Sequence, residues 1–164
     1  MLHLVFQAGG ASFALPADVI RRVLPLVRLT PVVRPVGGVV GVADVGGVPV
    51  TVVDLALVLS GRPCRPSLST RIVLMERAHG GDGPGGASPS GVAMMVEKAY
   101  DTRRFNDAER YEVGAELALP SFVTSLINLG QGGVVHLIDP QRLLAVVRGW
   151  GLQVEPPGEV APCL

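Results

Sequence analysis

The sequence predicts an all-β fold built from two copies of one unit, and three observations carry that prediction. Val42–Leu59 (VADVGGVPVTVVDLALVL) and Ile127–Leu144 (INLGQGGVVHLIDPQRLL), 85 residues apart, share one pattern of apolar strand, glycine turn, apolar strand, aspartate and apolar helical turn. A weaker echo precedes both: Leu4–Val5–Phe6 leads through Gly9–Gly10 into Phe13–Ala14–Leu15, as Ile72–Val73–Leu74 leads through a glycine loop into Val92–Ala93–Met94. Third, Val39–Val42 and Val48–Val53 are dense in valine, whose branched Cβ suits a pleated, packed surface.

The elements follow in order. Leu4–Gln7 and Phe13–Leu15 form a hairpin across Gly9–Gly10. Val19–Leu24 reads equally as a strand or a helical turn, and Pro25, Pro31 and Pro35 punctuate a surface linker, because each ring removes a backbone donor. Leu55–Leu59 is a short helix closed by Gly61. Arg71–Glu76 and Val92–Val96 are strands flanking His79–Gly91, a run of turn formers that reads as a mobile hairpin loop. Tyr100–Leu119 is polar and reads as a strand plus an irregular crossover. Pro140–Val147, with Leu143, Leu144 and Val147 at helical spacing, is an amphipathic helix. Residues 151–164, with Pro156, Pro157 and Pro162, read as a flexible tail.

Composition narrows the function classes. At 164 residues the chain has room for one compact domain or two small lobes, taken as 1–66 and 67–150 with strands free to exchange between them. No apolar run reaches the roughly 18 residues of a membrane span, so direct membrane insertion is not expected. The N-terminus lacks the basic and cleavage features of a signal peptide, and two cysteines, Cys64 and Cys163, make no disulfide framework, so the expected compartment is the cytoplasm. A formal net charge of zero argues against nucleic acid as a partner. The charge is unevenly spread: residues 1–75 hold seven arginines against three aspartates, whereas residues 76–164 hold seven basic and eleven acidic side chains. Default arginine usage accounts for this, as does a basic first lobe that meets an acidic partner face.

Residues able to carry chemistry are scattered. His3, His79 and His136 share no ligand spacing with each other or with cysteine, so no metal site is expected, and His136 alternates with apolar neighbours as a hydrogen-bonded structural histidine does. The glycine loop lacks the Gly-Lys-Ser/Thr of a phosphate cradle, and Gly-x-Ser-x-Gly is missing. Asp54 and Asp139 follow a strand and precede a helical turn in both copies, where a carboxylate caps the helix, and Gly47 and Gly132 occupy the matching turns. No general acid–base pair emerges. Neither an enzyme nor a cofactor is expected.

The same residues resemble a known family. Leu4-Val5-Phe6, Phe13-Ala14-Leu15-Pro16 and Val19-Ile20-Arg21-Arg22-Val23 look like the opening of the CheW family of chemotaxis coupling proteins. Thr30-Pro31, Val39-Val40-Gly41-Val42 and Gly47-Val48-Pro49-Val50-x-Val52-Val53-Asp54-Leu55 follow in the family's order. Val96–Ala99 matches the family's Val-Asp-x-Val loosely, and Ile138-Asp139 through Leu143-Leu144 matches its close, so the resemblance covers residues 2–148. It implies two packed five-stranded β-barrel lobes related by a pseudo-two-fold, with short helices at the lobe ends. It also implies a non-catalytic adaptor with two partners, the regulatory domain of a CheA-type histidine kinase and the cytoplasmic helical tip of a chemoreceptor, the latter in the groove between lobes. Such an adaptor is recruited to membrane-bound receptor arrays from the cytoplasm.

Two positions depart from the family pattern. Arg22 stands where members commonly carry Glu, and Gly46 where they commonly carry Arg. Both belong to the family's partner-binding surface, so the resemblance points to Ile20, Arg22, Val23, Val42 and Gly46 as contact residues, with Arg34 contributing charge. The two departures read either as altered electrostatics toward the partner or as divergence compensated elsewhere, and the apolar members read equally as core. A reading of another class is a small-molecule-binding double β-barrel with Trp150 or Tyr100 near the rim of its site, and a third is a regulatory module outside chemotaxis.

Overall fold

The structure, a computed structural model, describes residues 1–75 and 91–150. In chain order it contains β1 (Leu2–Ala8), β2 (Ala11–Pro16), β3 (Ile20–Pro25), β4 (Val39–Val45), β5 (Val48–Asp54), α1 (Leu55–Ser60), β6 (Arg71–Met75), β7 (Val92–Arg104), β8 (Arg110–Glu112), β9 (Val123–Asn128), β10 (Val134–Ile138) and α2 (Pro140–Gly149). The fold is mostly β, and its two helices sit where the repeat predicts them, one after each copy's final strand.

Local chemistry explains the element ends. β4 and β5 are joined by Gly46 and Gly47, both at positive φ (63° and 85°), the backbone of a two-residue turn whose twist matches the flanking strands. In the second copy Gln131 (φ 47°) and Gly132 (φ 82°) occupy the matching places. α1 starts at Asp54, whose carboxylate accepts the Leu57 N–H at 3.1 Å, and ends at Gly61 in the left-handed region. α2 starts at Asp139, whose carboxylate accepts from the amides of Gln141 (2.9 Å) and Arg142 (3.1 Å), with Pro140 in the first turn, where a missing N–H costs nothing.

The strand pairings cross between the two copies. β5 of the first copy runs parallel to β7 of the second, with Val52 opposite Ala93, and β10 of the second runs parallel to β2 of the first, with Leu137 opposite Ala14. One lobe therefore comprises β3, β4 and β5 with β6 and the first part of β7. The other comprises β1 and β2 with the last part of β7, β8, β9 and β10.

In each lobe the strand that closes the barrel is broken in two. β3 pairs with β6, and the chain beyond it returns to the opposite edge as a single bridge between Thr30 and Val42, with both N–H···O distances 2.8 Å. The end of β7 pairs with β1, and β8 returns to β9 with Arg110 opposite Ile127. Ile127 is the repeat partner of Val42, so the two closures are equivalent. Neither ladder is continuous round its lobe. Gly41 permits the Thr30 closure, because a Cβ there would fall 2.7 Å from the Thr30 carbonyl oxygen.

Most central strands bury both faces. Ala43, Val50, Val52, Ile72, Leu74 and Ala93 fill the first lobe, sealed by Leu24 of β3 and by Leu26, Val27 and Leu29 from the strap that follows it. Ala14, Ile127, Val135 and Leu137 fill the second. The opposite faces of these strands meet in a larger cluster that joins the lobes, including Phe6, Leu15, Val53, Leu55, Met94, Phe122, Ile138 and Leu143. Two-sided burial is why the runs read as continuous valine, leucine and isoleucine rather than as alternation.

Several expectations are refined. Val19–Leu24 divides into a single 3-10 turn at Ala17–Val19 and then β3. Pro25 belongs to β3, tolerated on an outer strand whose far side needs no N–H. The expected strand Val92–Val96 and the strand expected within Tyr100–Leu119 are one element: β7 runs unbroken from Val92 to Arg104, bends at Lys98 (φ 50°) and serves both lobes. The echo between β1 and β6 is displaced by one residue: Val5 faces Ala14 as Leu74 faces Ala93, so Val5 corresponds to Leu74. Residues 72–75 are all buried and carry no alternation that would set the register. The expected loop His79–Gly91, apart from Gly91, and the expected tail 151–164 lie outside the described residues.

The two caps are not equal. The Asp54 carboxylate is fully buried and also accepts the Cys64 N–H at 2.8 Å, whereas Asp139 is partly exposed. Asp54→Ala therefore strands a buried amide as well as removing the cap and is expected to cost about 2–4 kcal/mol, against about 1 kcal/mol for Asp139→Ala. Equal losses in urea unfolding would contradict this difference.

Candidate partner-binding site

β3 is the last strand at one end of the sheet order and β4 lies at the other edge of the same lobe. Between Ile20 and Arg22 the register with β6 slips: Ile20 faces Met75, yet Arg22 faces Leu74. The extra residue, Arg21, is a β-bulge, which suspends alternation and turns successive side chains outward. Arg21, Arg22 and Val23 are consequently all exposed, Val23 to 39 %. This bulge is the feature that alternation alone could not anticipate.

The candidate residues fall into two groups on one lobe. Ile20, Arg22 and Val23 lie along β3, with Ile20 half-buried against the cluster that joins the lobes. Val42 is half-buried in β4, both its backbone groups taken by Thr30, and Gly46 is exposed at the tip of the β4–β5 turn. None of the five is part of the buried core. The strap from Leu26 to Thr30 links the two groups across the opening of the barrel. Arg34 is exposed in the connection from the strap to β4.

At Gly46 nothing lies within 4 Å of where a Cβ would project, so a longer side chain has room. Its φ of 63° is the obstacle, and Gln131 at the matching turn shows that an L-residue adopts that conformation in this fold. Arg22 has a counterpart as well: it faces Leu74 on β6 as Asp101 faces Val5 on β1. The two lobes thus present opposite charges at equivalent edge positions, and Asp101 is held by Arg103 at 2.9 Å.

Other groups able to carry chemistry take part in packing. His136 Nδ1 lies 3.0 Å from the Ser12 carbonyl oxygen and its ring is 5.0 Å from Phe13. His3 rests against Phe105, and burial pushes its pKa below the usual histidine value. Burial, followed by the neighbouring Asp54 carboxylate, pushes the Cys64 thiol up to about 12, so it holds its proton at neutral pH. Among the described residues no group of three or more His, Cys, Asp or Glu is placed to hold a metal ion. Trp150, considered above as the rim of a ligand site, packs against Gly37, where its indole leaves no space for a Cβ. The side chain of Tyr100 lies outside the described set.

Sequence reasoning missed the strap and its Thr30 bridge, and it missed a groove lined by Arg62, Arg65 and Lys98. Lys98, the only lysine in the chain, placed just after the apolar run Val92–Val96, was the available signal for the groove. The strap left none, since five residues with no period announce no pairing.

Comparison with known proteins places this geometry. The scaffolding protein TtCheW from Thermoanaerobacter tengcongensis superposes with a TM-score of 0.69 at 14% sequence identity, over 85% of this chain and 84% of that one. At that identity the likeness shows the fold alone. A search of curated proteins found no match. The model of the CheW-like domain matches residues 2–148, nearly the whole length, and the chain belongs to the CheW-like family.

Proposed function

We propose that this protein is a non-catalytic adaptor that couples a CheA-type sensor histidine kinase to chemoreceptors, in chemotaxis or a related chemosensory pathway. The observation that carries the reading is membership of the CheW-like family over residues 2–148, a scaffold family with no catalytic activity. The exposed run Arg21–Val23 and the β4–β5 turn support it as well, because they offer polar and apolar side chains on a rigid strand framework. No described helix is long and apolar enough to cross a membrane. In this reading the protein reaches receptor arrays by docking on the receptor's cytoplasmic helical tip.

In this reading the regulatory domain of the kinase docks on the lobe that carries Ile20, Arg22, Val23, Val42 and Gly46, with Arg34 adding charge at its margin. The Glu-to-Arg and Arg-to-Gly departures make that face more positive at β3 and less positive at the turn. Like charges opposed across an interface cost affinity, so the departures re-specify the partner toward one with an acidic group opposite Arg22.

Titration calorimetry against the regulatory domain of a CheA-type kinase from the same organism is expected to give saturable one-to-one binding. A well-folded protein that binds no such domain would move the function to another partner. Arg22→Glu combined with Gly46→Arg is expected to strengthen binding to a conventional coupling-protein partner. The Gly46→Arg change also costs about 1 kcal/mol of stability for the left-handed backbone. Unchanged or weaker binding by a variant that folds would contradict the electrostatic reading.

A further inference from the structure

Away from β3 and the β4–β5 turn, an open groove of about 760 Å³ runs between the end of α1, the residues that follow it and the bend of β7. Three cations line it, Arg62, Arg65 and Lys98, against one carboxylate, Glu97. Glu97 is turned back on the fold, where one carboxylate oxygen accepts the Arg65 N–H at 2.9 Å. Among the described residues, the ion pairs are Arg103–Asp101 and Arg142–Asp139, so none of the three groove cations is neutralised there. The groove is a concave surface with an excess of two positive charges.

Beside it stands Leu68, 96 % exposed. The turn that presents it is braced: the Thr70 hydroxyl donates to the Arg65 carbonyl at 2.6 Å, the Thr70 N–H to the Ser67 carbonyl at 3.1 Å, and the Arg71 guanidinium to the Leu68 carbonyl. A leucine held out by a rigid turn loses little freedom on binding, so covering it returns most of its apolar burial as affinity. Lys98 adds a second sign of use. It is held at φ 50°, a backbone conformation suited to glycine, and its N–H is fixed to the Ser69 carbonyl at 3.0 Å. A lysine there carries a backbone cost that glycine does not, and its charge lines the groove.

The geometry points to a second docking site, in this groove, for an acidic segment of a partner protein that carries an apolar side chain to cover Leu68. Charge complementarity selects the carboxylates, and the exposed leucine beside the cations favours a polypeptide over a bare phosphate, which has nothing to place on it. The inference goes beyond the adaptor reading and does not rest on it, since it involves none of the residues on the kinase-facing lobe edge.

The test is selection from a displayed library of random peptides on the full chain, with the Arg62→Glu/Lys98→Gly variant as counter-selection. A peptide recovered from the selection is then measured by fluorescence anisotropy. Peptides retained by the chain and not by the variant are expected to be net acidic and to carry a leucine-like residue. Lys98→Gly alone is expected to weaken the selected peptide about threefold, as loss of one exposed ion pair does, while the melting temperature holds or rises. Leu68→Ser is expected to weaken it about tenfold or more. Peptides that bind chain and variant alike, or that are neutral, would overturn the proposal. So would ATP competing at the groove while no acidic peptide is recovered, which would make it a phosphate site, or a concentration-dependent rise in mass abolished by the variant, which would make it a self-association surface.

Discussion

Two parallel ladders, β5 against β7 and β10 against β2, hold this fold together, and each joins a strand of one copy to a strand of the other. Antiparallel hairpins form locally, but a parallel pair cannot be made by a tight turn and must draw on distant chain. The first copy alone has β3, β4 and β5 with nothing to complete their barrel, and the second has β8, β9 and β10 in the same position. Each copy lends its opening hairpin to the other. The large apolar cluster between the lobes is a consequence, because strands that cross between lobes carry one face into each barrel and one into the space between.

That exchange also shapes the binding surfaces. β7 serves both lobes and changes direction at Lys98, and that bend forms one wall of the cationic groove. β3, lying last in the sheet, has no neighbour on its far side, so its bulge at Arg21 leaves Arg22 and Val23 exposed. The strap that seals the first lobe with Leu26, Val27 and Leu29 runs from this edge strand to Thr30, which bridges to Val42 of β4, so one short stretch of chain both completes a core and spans the proposed kinase-facing edge.

Legibility in the sequence follows the same physical division. The strand–turn–strand–aspartate–helix unit could be read at Val42–Leu59 and Ile127–Leu144 because its signals are local: a two-residue glycine turn, an aspartate ahead of an apolar helical turn, and valine runs. Which strand pairs with which could not be read, since nothing in Val52 names Ala93 as its partner. The register of β6 was obscured because a strand buried on both faces has no alternation. At the candidate site, Arg22 and Gly46 drew attention through their departure from the family's pattern, whereas the bulge that exposes Arg22 depends on its pairing with Leu74. Leu68 lies in a stretch with no periodic pattern, and its fixed presentation depends on the hydrogen bonds of Thr70 and Arg71.

The claim that most needs testing is that the lobe edge formed by β3 and the β4–β5 turn is where the kinase docks. Hydrogen exchange of the full chain, measured with and without a CheA-type regulatory domain, addresses it directly. The account predicts slowed exchange at the amides of Arg21–Leu24 and Asp44–Gly47, with the groove amides of Arg65, Ser69 and Lys98 unchanged. Protection confined to the groove, or to β8 and β9 of the other lobe, would contradict it.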